Sequence, residues 1–284
     1  MSLRRELGGN AAPALGTGGI AATVRTVQRR SRTPTVLLLK LAGGLALLAA
    51  WEVTVRAFAP RFVARPSAIL AAIPGILTDP AFLHASWLTL FSVMQAIAVA
   101  MVAGTAVGLT MGRIPWVNRF LSLYVNGLYA MPMVAVLPLF ALWFGFTGSA
   151  RLAIGIFAAF FPIALNVSDG ARSVPPEYLE VGRSYRARWR DVWLGITLPA
   201  SLPYLLAGLR LAAGRALVAA VVAEFYVSIP GLGFLILSQT RSFRHNEAFV
   251  AVLMLAVFGV GFDALMNAFT RRYLPWFRRE AHTD

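Results

Sequence analysis

Apolar residues run along this chain in long blocks broken by short polar stretches. Six blocks meet the ~20 residues that a helix needs to cross ~30 Å of hydrocarbon. They fall at about 36–59, 87–111, 119–145, 150–171, 200–228 and 248–273. The third block contains Pro132 and Pro138. Each proline removes a backbone donor, so this block is expected to be one bent span. A bent span is tolerated in a membrane where neighbours or water satisfy the freed carbonyls, which favours a wall or gate over a lipid-facing helix. Residues 61–80 (RFVARPSAILAAIPGILTDP) are too short and too proline-rich to span, and read as an amphipathic element on the outer surface. Gly104, Gly108 and Gly112 recur every four residues in the second block, so they share one helix face and allow close backbone approach. Packing within the subunit is the expected use of that face, with a dimer contact as the alternative. The predicted fold is an all-α integral membrane protein with six transmembrane helices.

Composition narrows the class further. The 284 residues are 58% hydrophobic and 13% charged, too few charges for a water-exposed surface. The net charge is +14 and its carriers are arginines, apart from Lys40. They flank the apolar blocks and form no single patch, so nucleic-acid binding is not expected. Arg4, Arg5, Arg25, Arg29, Arg30 and Arg32 precede the first block; Arg113 and Arg119 lie between the second and third. Arg172, Arg183, Arg186, Arg188 and Arg190 lie between the fourth and fifth, and Arg271, Arg272, Arg278 and Arg279 follow the sixth. The alternate loops hold fewer: Arg61, Arg65, Arg151, Arg241 and Arg244. The positive-inside rule then puts both termini in the cytoplasm. Residues 1–33 read as a disordered basic arm, 34–275 as the membrane domain and 276–284 as a cytoplasmic tail. Ala57-Phe58-Ala59 resembles a signal-peptide cleavage site, but the apolar run before it exceeds the usual length.

The internal loop at 172–199 (RSVPPEYLEVGRSYRARWRDVWLGITLP from residue 172) carries the functional signal. Pro175 and Pro176 suit a first helical turn, and Glu177 and Glu180 suit a helix N-terminus. Arg183, Arg186 and Arg190 share a face at i, i+3 and i+7, and the loop reads as a cytoplasmic helix followed by a helix lying at the interface. The loop is either a surface helix held by anionic membrane lipid or a docking knob for a cytoplasmic partner. Glu180-Val181-Gly182, then Ala187, Trp189 and Leu198-Pro199, resemble the E-A-A…G…L-P loop of ABC importer permeases. Val181 and Gly182 replace two alanines, and Arg186 stands where that family usually has glycine. Pro132-Met133-Val134-Ala135, Pro138-Leu139 and Leu142-Trp143-Phe144-Gly145 resemble the nitrate, sulfonate, taurine and bicarbonate group of those permeases. Phe161-Pro162…Asn166, Gly208-Leu209-Arg210…Gly214-Arg215…Ala223-Glu224-Phe225 and Gly231-Leu232-Gly233-Phe234 extend the resemblance over about 65–275.

The resemblance implies a type I (MetI-like) importer fold in a bacterial inner membrane. It also implies a second permease subunit (a homodimer), two ATP-binding-cassette ATPase subunits and an extracytoplasmic substrate-binding protein. Glu177, Glu180, Val181, Gly182, Arg186, Ala187, Leu198 and Pro199 would form the ATPase-coupling segment. No G-x-x-x-x-G-K-[ST] motif occurs, so this chain is not expected to hydrolyse ATP or to hold a cofactor; ATP and Mg would belong to the partner. The implied cargo is a small anion such as a sulfonate, nitrate or taurine, moved by alternating access. A vitamin precursor or aromatic acid is the alternative cargo, and a secondary transporter the competing class.

Ionisable groups inside apolar blocks are functional candidates by default. Arg215 and Asp263 fall at comparable depth, so an Arg215–Asp263 ion pair is expected, with direct contact between Arg215 and an anionic cargo as the alternative. Pro132, Pro138, Asn166, Arg215 and Glu224 are candidates for the translocation pathway. His84, His245 and His282 are too scattered for a metal site, and the chain has no cysteine. No catalytic constellation is legible.

Overall fold

The computed structural model describes residues 34–58 and 63–273. The predicted arm at 1–33 and tail at 276–284 lie outside the described residues. The chain divides into two units, residues 1–54 and 55–284. Helix α1 (Pro34–Phe58) takes up the described part of the first and enters the second. Its 25 residues extend to ~37 Å, enough to cross a bilayer.

Among its described residues the regular elements of the second unit are all helices. Its elements are α2 (Pro66–Leu77), α3 (Pro80–Arg113), α4 (Pro115–Ala130), α5 (Met133–Phe144), α6 (Gly148–Arg172), α7 (Pro176–Ser184), α8 (Trp189–Val192), α9 (Leu198–Val227), α10 (Leu232–Arg241) and α11 (His245–Tyr273). A π-helical turn, Trp193–Thr197, joins α8 to α9. Proline opens many of these helices: Pro66, Pro80, Pro115 and Pro176 each occupy a first-turn position, where the missing N–H costs nothing. Asp79 caps α3 by accepting from the Ala81 N–H at 2.9 Å.

Helices α3, α6 and α9 form the centre. Their shared core contains Val93, Ile97 and Ala100 from α3, Ala159, Ile163 and Val167 from α6, and a line from Leu206 to Ala220 on α9. Small residues let these backbones approach. A Cβ built on Gly108 would lie 2.5 Å from the Ala164 carbonyl oxygen, and one on Gly112 would lie 2.5 Å from Ala171 Cβ. The four-residue glycine stripe therefore packs within the subunit, against α6.

Five described helices are long and apolar enough to span a membrane, as the blocks predict. The third block departs from the prediction. It is two helices, α4 and α5, that meet at 101°, the geometry of a broken span or a re-entrant loop. Pro132 stands at the break, and the backbone there has the form a proline imposes. The residue before a proline is driven out of the α region, and Met131 sits at φ −65°, ψ 133°. Pro132 itself is extended at ψ 113°. Pro138, by contrast, lies inside α5 without ending it. Helix α9 has 30 residues, about 45 Å of axial rise. It links the end of the bundle that carries the 172–199 loop, the loop end, to the end that carries residues 228–244, the far end.

Candidate coupling segment and central cleft

The 172–199 loop folds as a helix, a tight turn and a second helical segment. Helix α7 begins at Pro176 with Glu177 in its first turn, where a carboxylate complements the helix dipole. It closes in a Schellman turn: Ala187 N–H donates to the Gly182 carbonyl at 2.9 Å and Arg186 N–H to the Arg183 carbonyl at 2.9 Å. That turn requires a left-handed residue, and Arg186 supplies it at φ 51°. The position where the resemblance expects glycine thus keeps glycine's conformation with an arginine in it. Chain direction changes there, so Arg183, Arg186 and Arg190 do not share one helix face; that expectation is corrected by the turn. Arg188 then opens α8, its N–H donating to Asp191 Oδ2 at 3.1 Å.

The two faces of α7 differ. Glu177, Tyr178, Glu180, Val181 and Tyr185 are exposed, Tyr185 by 84%. Gly182 is buried, and a Cβ there would stand 3.6 Å from Val192 and 3.7 Å from Ile196. Its small size therefore serves contact with the chain's own α8–α9 segment, while Glu180 and Val181 face outward. Leu198 and Pro199 start α9 and are half-buried. Behind the loop, Arg172 donates to Asn118 and, at 3.2 Å, to Ser168, tying the end of α6 to the start of α4.

A cleft of 380 Å³ opens at the break between α4 and α5. Tyr129, Met131, Met133, Phe157, Phe161 and Arg215 are among its lining residues. Arg215 lies at mid-length of α9 and is exposed. Its guanidinium stacks 3.9 Å from the Tyr129 ring centroid and its Nη1 donates to the Tyr129 carbonyl at 3.4 Å. An aromatic face holds a cation without neutralising it. The cleft thus presents one positive group among aromatic and thioether walls.

Other candidates sit elsewhere. The expected Arg215–Asp263 pair is not made: Asp263 faces Arg210, Nε to Oδ1 at 3.8 Å, and accepts from Asn267 at 2.9 Å. Residues 210 and 215 differ by about 140° around a helix, so depth alone could not tell which one meets α11. Asn166 is half-buried and donates to the Pro162 carbonyl at 2.7 Å, at the α6–α9 contact and outside the cleft lining. Pro132 sits at the break, and Pro138 is exposed on α5. Glu224 does not line the cleft; it is fully buried and paired with Arg151, Nη1 to Oε1 at 2.9 Å. The sequence pattern counts Arg151 among the loop arginines; the structure puts it in the first turn of α6, against the Glu224 carboxylate.

Residues 100–275 match the family described as the inner membrane component of binding-protein-dependent transport systems. A putative aliphatic sulfonates transport permease, SsuC of Bacillus subtilis, is 32% identical over 63% of this chain and 66% of its own length. The taurine transport system permease TauC of Escherichia coli is 28% identical over 82% of this chain and 88% of its own. A chain of the methionine ABC transporter MetNI, solved in an inward-facing conformation, superposes with a TM-score of 0.59 at 20% identity. It covers 67% of this chain and 95% of its own, a likeness of fold. With the family match spanning more than half its length, this chain is a member of the inner-membrane permease family of binding-protein-dependent ABC importers.

Proposed function

We propose that the chain translocates a small organic anion across a bacterial cytoplasmic membrane by alternating access. Separate ATP-binding-cassette subunits hydrolyse ATP and dock on the exposed face of α7. A second copy of the permease completes the pathway, and an extracytoplasmic receptor delivers the cargo at the far end. The loop end and both termini are cytoplasmic in this arrangement, as the arginine distribution favours.

The observation that carries the anionic cargo is Arg215, a mid-span cation that faces an open cleft and has a tyrosine ring as its support. A charge at that depth is costly unless it is paired or faces a water-filled path. Two of the relatives' named cargoes, aliphatic sulfonates and taurine, carry a fixed negative sulfonate, which such a group suits. The aromatic lining from Tyr129, Phe157 and Phe161 favours an aromatic acid as the second reading. Uptake by proteoliposomes holding permease, ATPase and receptor tests both, with alkanesulfonates, taurine, nitrate and benzoate as cargoes. ATP-dependent anion uptake that Arg215→Ala lowers at least ten-fold, in complexes that still assemble, is the expected result. Uptake without ATP, or an Arg215→Ala complex with normal anion import, overturns the reading.

A further inference from the structure

The coupling segment and the cleft make no use of the buried Arg151–Glu224 pair, which lies at the far end. Helix α10 begins there at Leu232, and the preceding Gly231 offers no side chain to cap it. The first N–H groups of a helix need acceptors. Distant parts of the chain supply them. Gly233 N–H donates to Glu224 Oε2 at 2.7 Å, and Leu232 N–H donates to the Thr89 hydroxyl at 2.9 Å. The Thr89 hydroxyl in turn donates to Glu224 Oε1 at 2.8 Å. Arg151 Nη1 donates to Glu224 Oε1 and to the Pro230 carbonyl, each at 2.9 Å. Thus α3, α6 and α9 each contribute one side chain to the start of α10.

The glycines fit this arrangement. A Cβ on Gly231 would overlap the Glu224 carboxylate, and one on Gly233 would lie 2.9 Å from Glu224 Cβ. Gly231 is extended at φ 165°, so space and not backbone conformation demands glycine there. A buried ion pair offsets its desolvation only with good geometry and further hydrogen bonds; both Glu224 oxygens have them while Arg151 Nε does not, and apolar side chains would fasten the helices equally well. What apolar contact does not supply is a fixed direction for a helix N-terminus.

We propose that Glu224, anchored by Arg151 and Thr89, is a positioning residue that sets the orientation of α10 against the three central helices. The corner at the other end of α10, residues 241–244, is held in place by it. That corner exposes Arg241 and Phe243. Helix α10 is about 15 Å long, so a 20° tilt at its start would move the corner by roughly 5 Å. The importer reading makes this corner a surface for the receptor; that consequence rests on the reading, and the orientation of α10 does not.

The absence of cysteine allows site-specific spin labels on the full chain in lipid nanodiscs. Labels at Leu83→Cys on α3 and Arg241→Cys on α10 report the orientation by double electron–electron resonance. Labels at Leu83→Cys and Val218→Cys report the bundle itself. The expected result is one narrow distance distribution for the first pair, at least doubled in width by Glu224→Gln and by Thr89→Val. Thr89→Ser restores it, and the second pair does not change. Should Glu224→Gln fail to fold, Thr89→Val, which keeps the side-chain shape, decides alone. An unchanged width in Thr89→Val, or equal broadening of both pairs, overturns the proposal. Absence of ATP-dependent uptake by the unsubstituted chain, with its distances narrow, would count against the importer reading and leave this one standing.

Discussion

At Arg186 a side chain occupies a backbone conformation that glycine adopts at no cost. The left-handed region costs an L residue roughly 1–2 kcal/mol. Phe243 repeats the pattern at the end of α10: it has φ 59°, its N–H donates to Thr240 at 3.1 Å, and Arg244 N–H donates to Gln239 at 2.9 Å. Both side chains are exposed, so the fold gains little from them in return. Replacing either with glycine is expected to raise the unfolding free energy of the purified chain by about 1 kcal/mol, less the extra entropy glycine brings to the unfolded state. Thermal melts in detergent check this, and a lower melting temperature for Arg186→Gly would show that the arginine makes contacts beyond those described. The same change tests the family pattern, because it restores the residue that the resemblance expects while the Schellman turn is retained.

Whole helices were legible because their signal is continuous. Twenty apolar residues in a row admit few structures other than a span. The glycine stripe on α3 was legible for a similar reason: its period of four fixes one face. Gly108→Ala is therefore expected to destabilise the chain by about 1–3 kcal/mol, since its Cβ meets the Ala164 carbonyl of α6 and backbone does not yield. Gly127→Ala, in the body of α4 with nothing within 4 Å, should be neutral or stabilising. Equal melting temperatures for the two variants would refute the close α3–α6 approach. Where the third block breaks was not legible. Pro132 and Pro138 have the same local effect, and only tertiary packing decides that the chain turns at the first and continues through the second. The facing direction of an intramembrane charge was equally hidden. Sequence position gives depth along a helix, whereas neighbours set its rotation; hence Arg210 takes Asp263 and Arg215 turns to the cleft.

At the scale of the molecule, α9 joins what the two ends do. It starts at the π-helical turn behind α7, passes the cleft at Arg215 and ends beside Glu224. In the proposed mechanism a push on α7 would pass through the 185–188 turn and α8 into α9, and so to the cleft. For ATPase subunits to deliver that push, they must bury the outward face of α7, where Tyr178, Val181 and Tyr185 stand exposed beside Glu177 and Glu180. Exposed aromatic residues next to charge are typical anchors of a protein interface. Tyr185→Ala combined with Glu180→Arg should then release the ATPase on co-purification, lowering retention at least ten-fold while the permease itself melts normally. Gly182→Ala discriminates docking from internal packing. Its added methyl points at Val192 and Ile196 with room to fit, so the ATPase should stay bound. If small size at 182 mattered to the partner directly, the alanine variant would lose the ATPase as the surface variant does. Retention in both variants would instead remove α7 as the point where force enters.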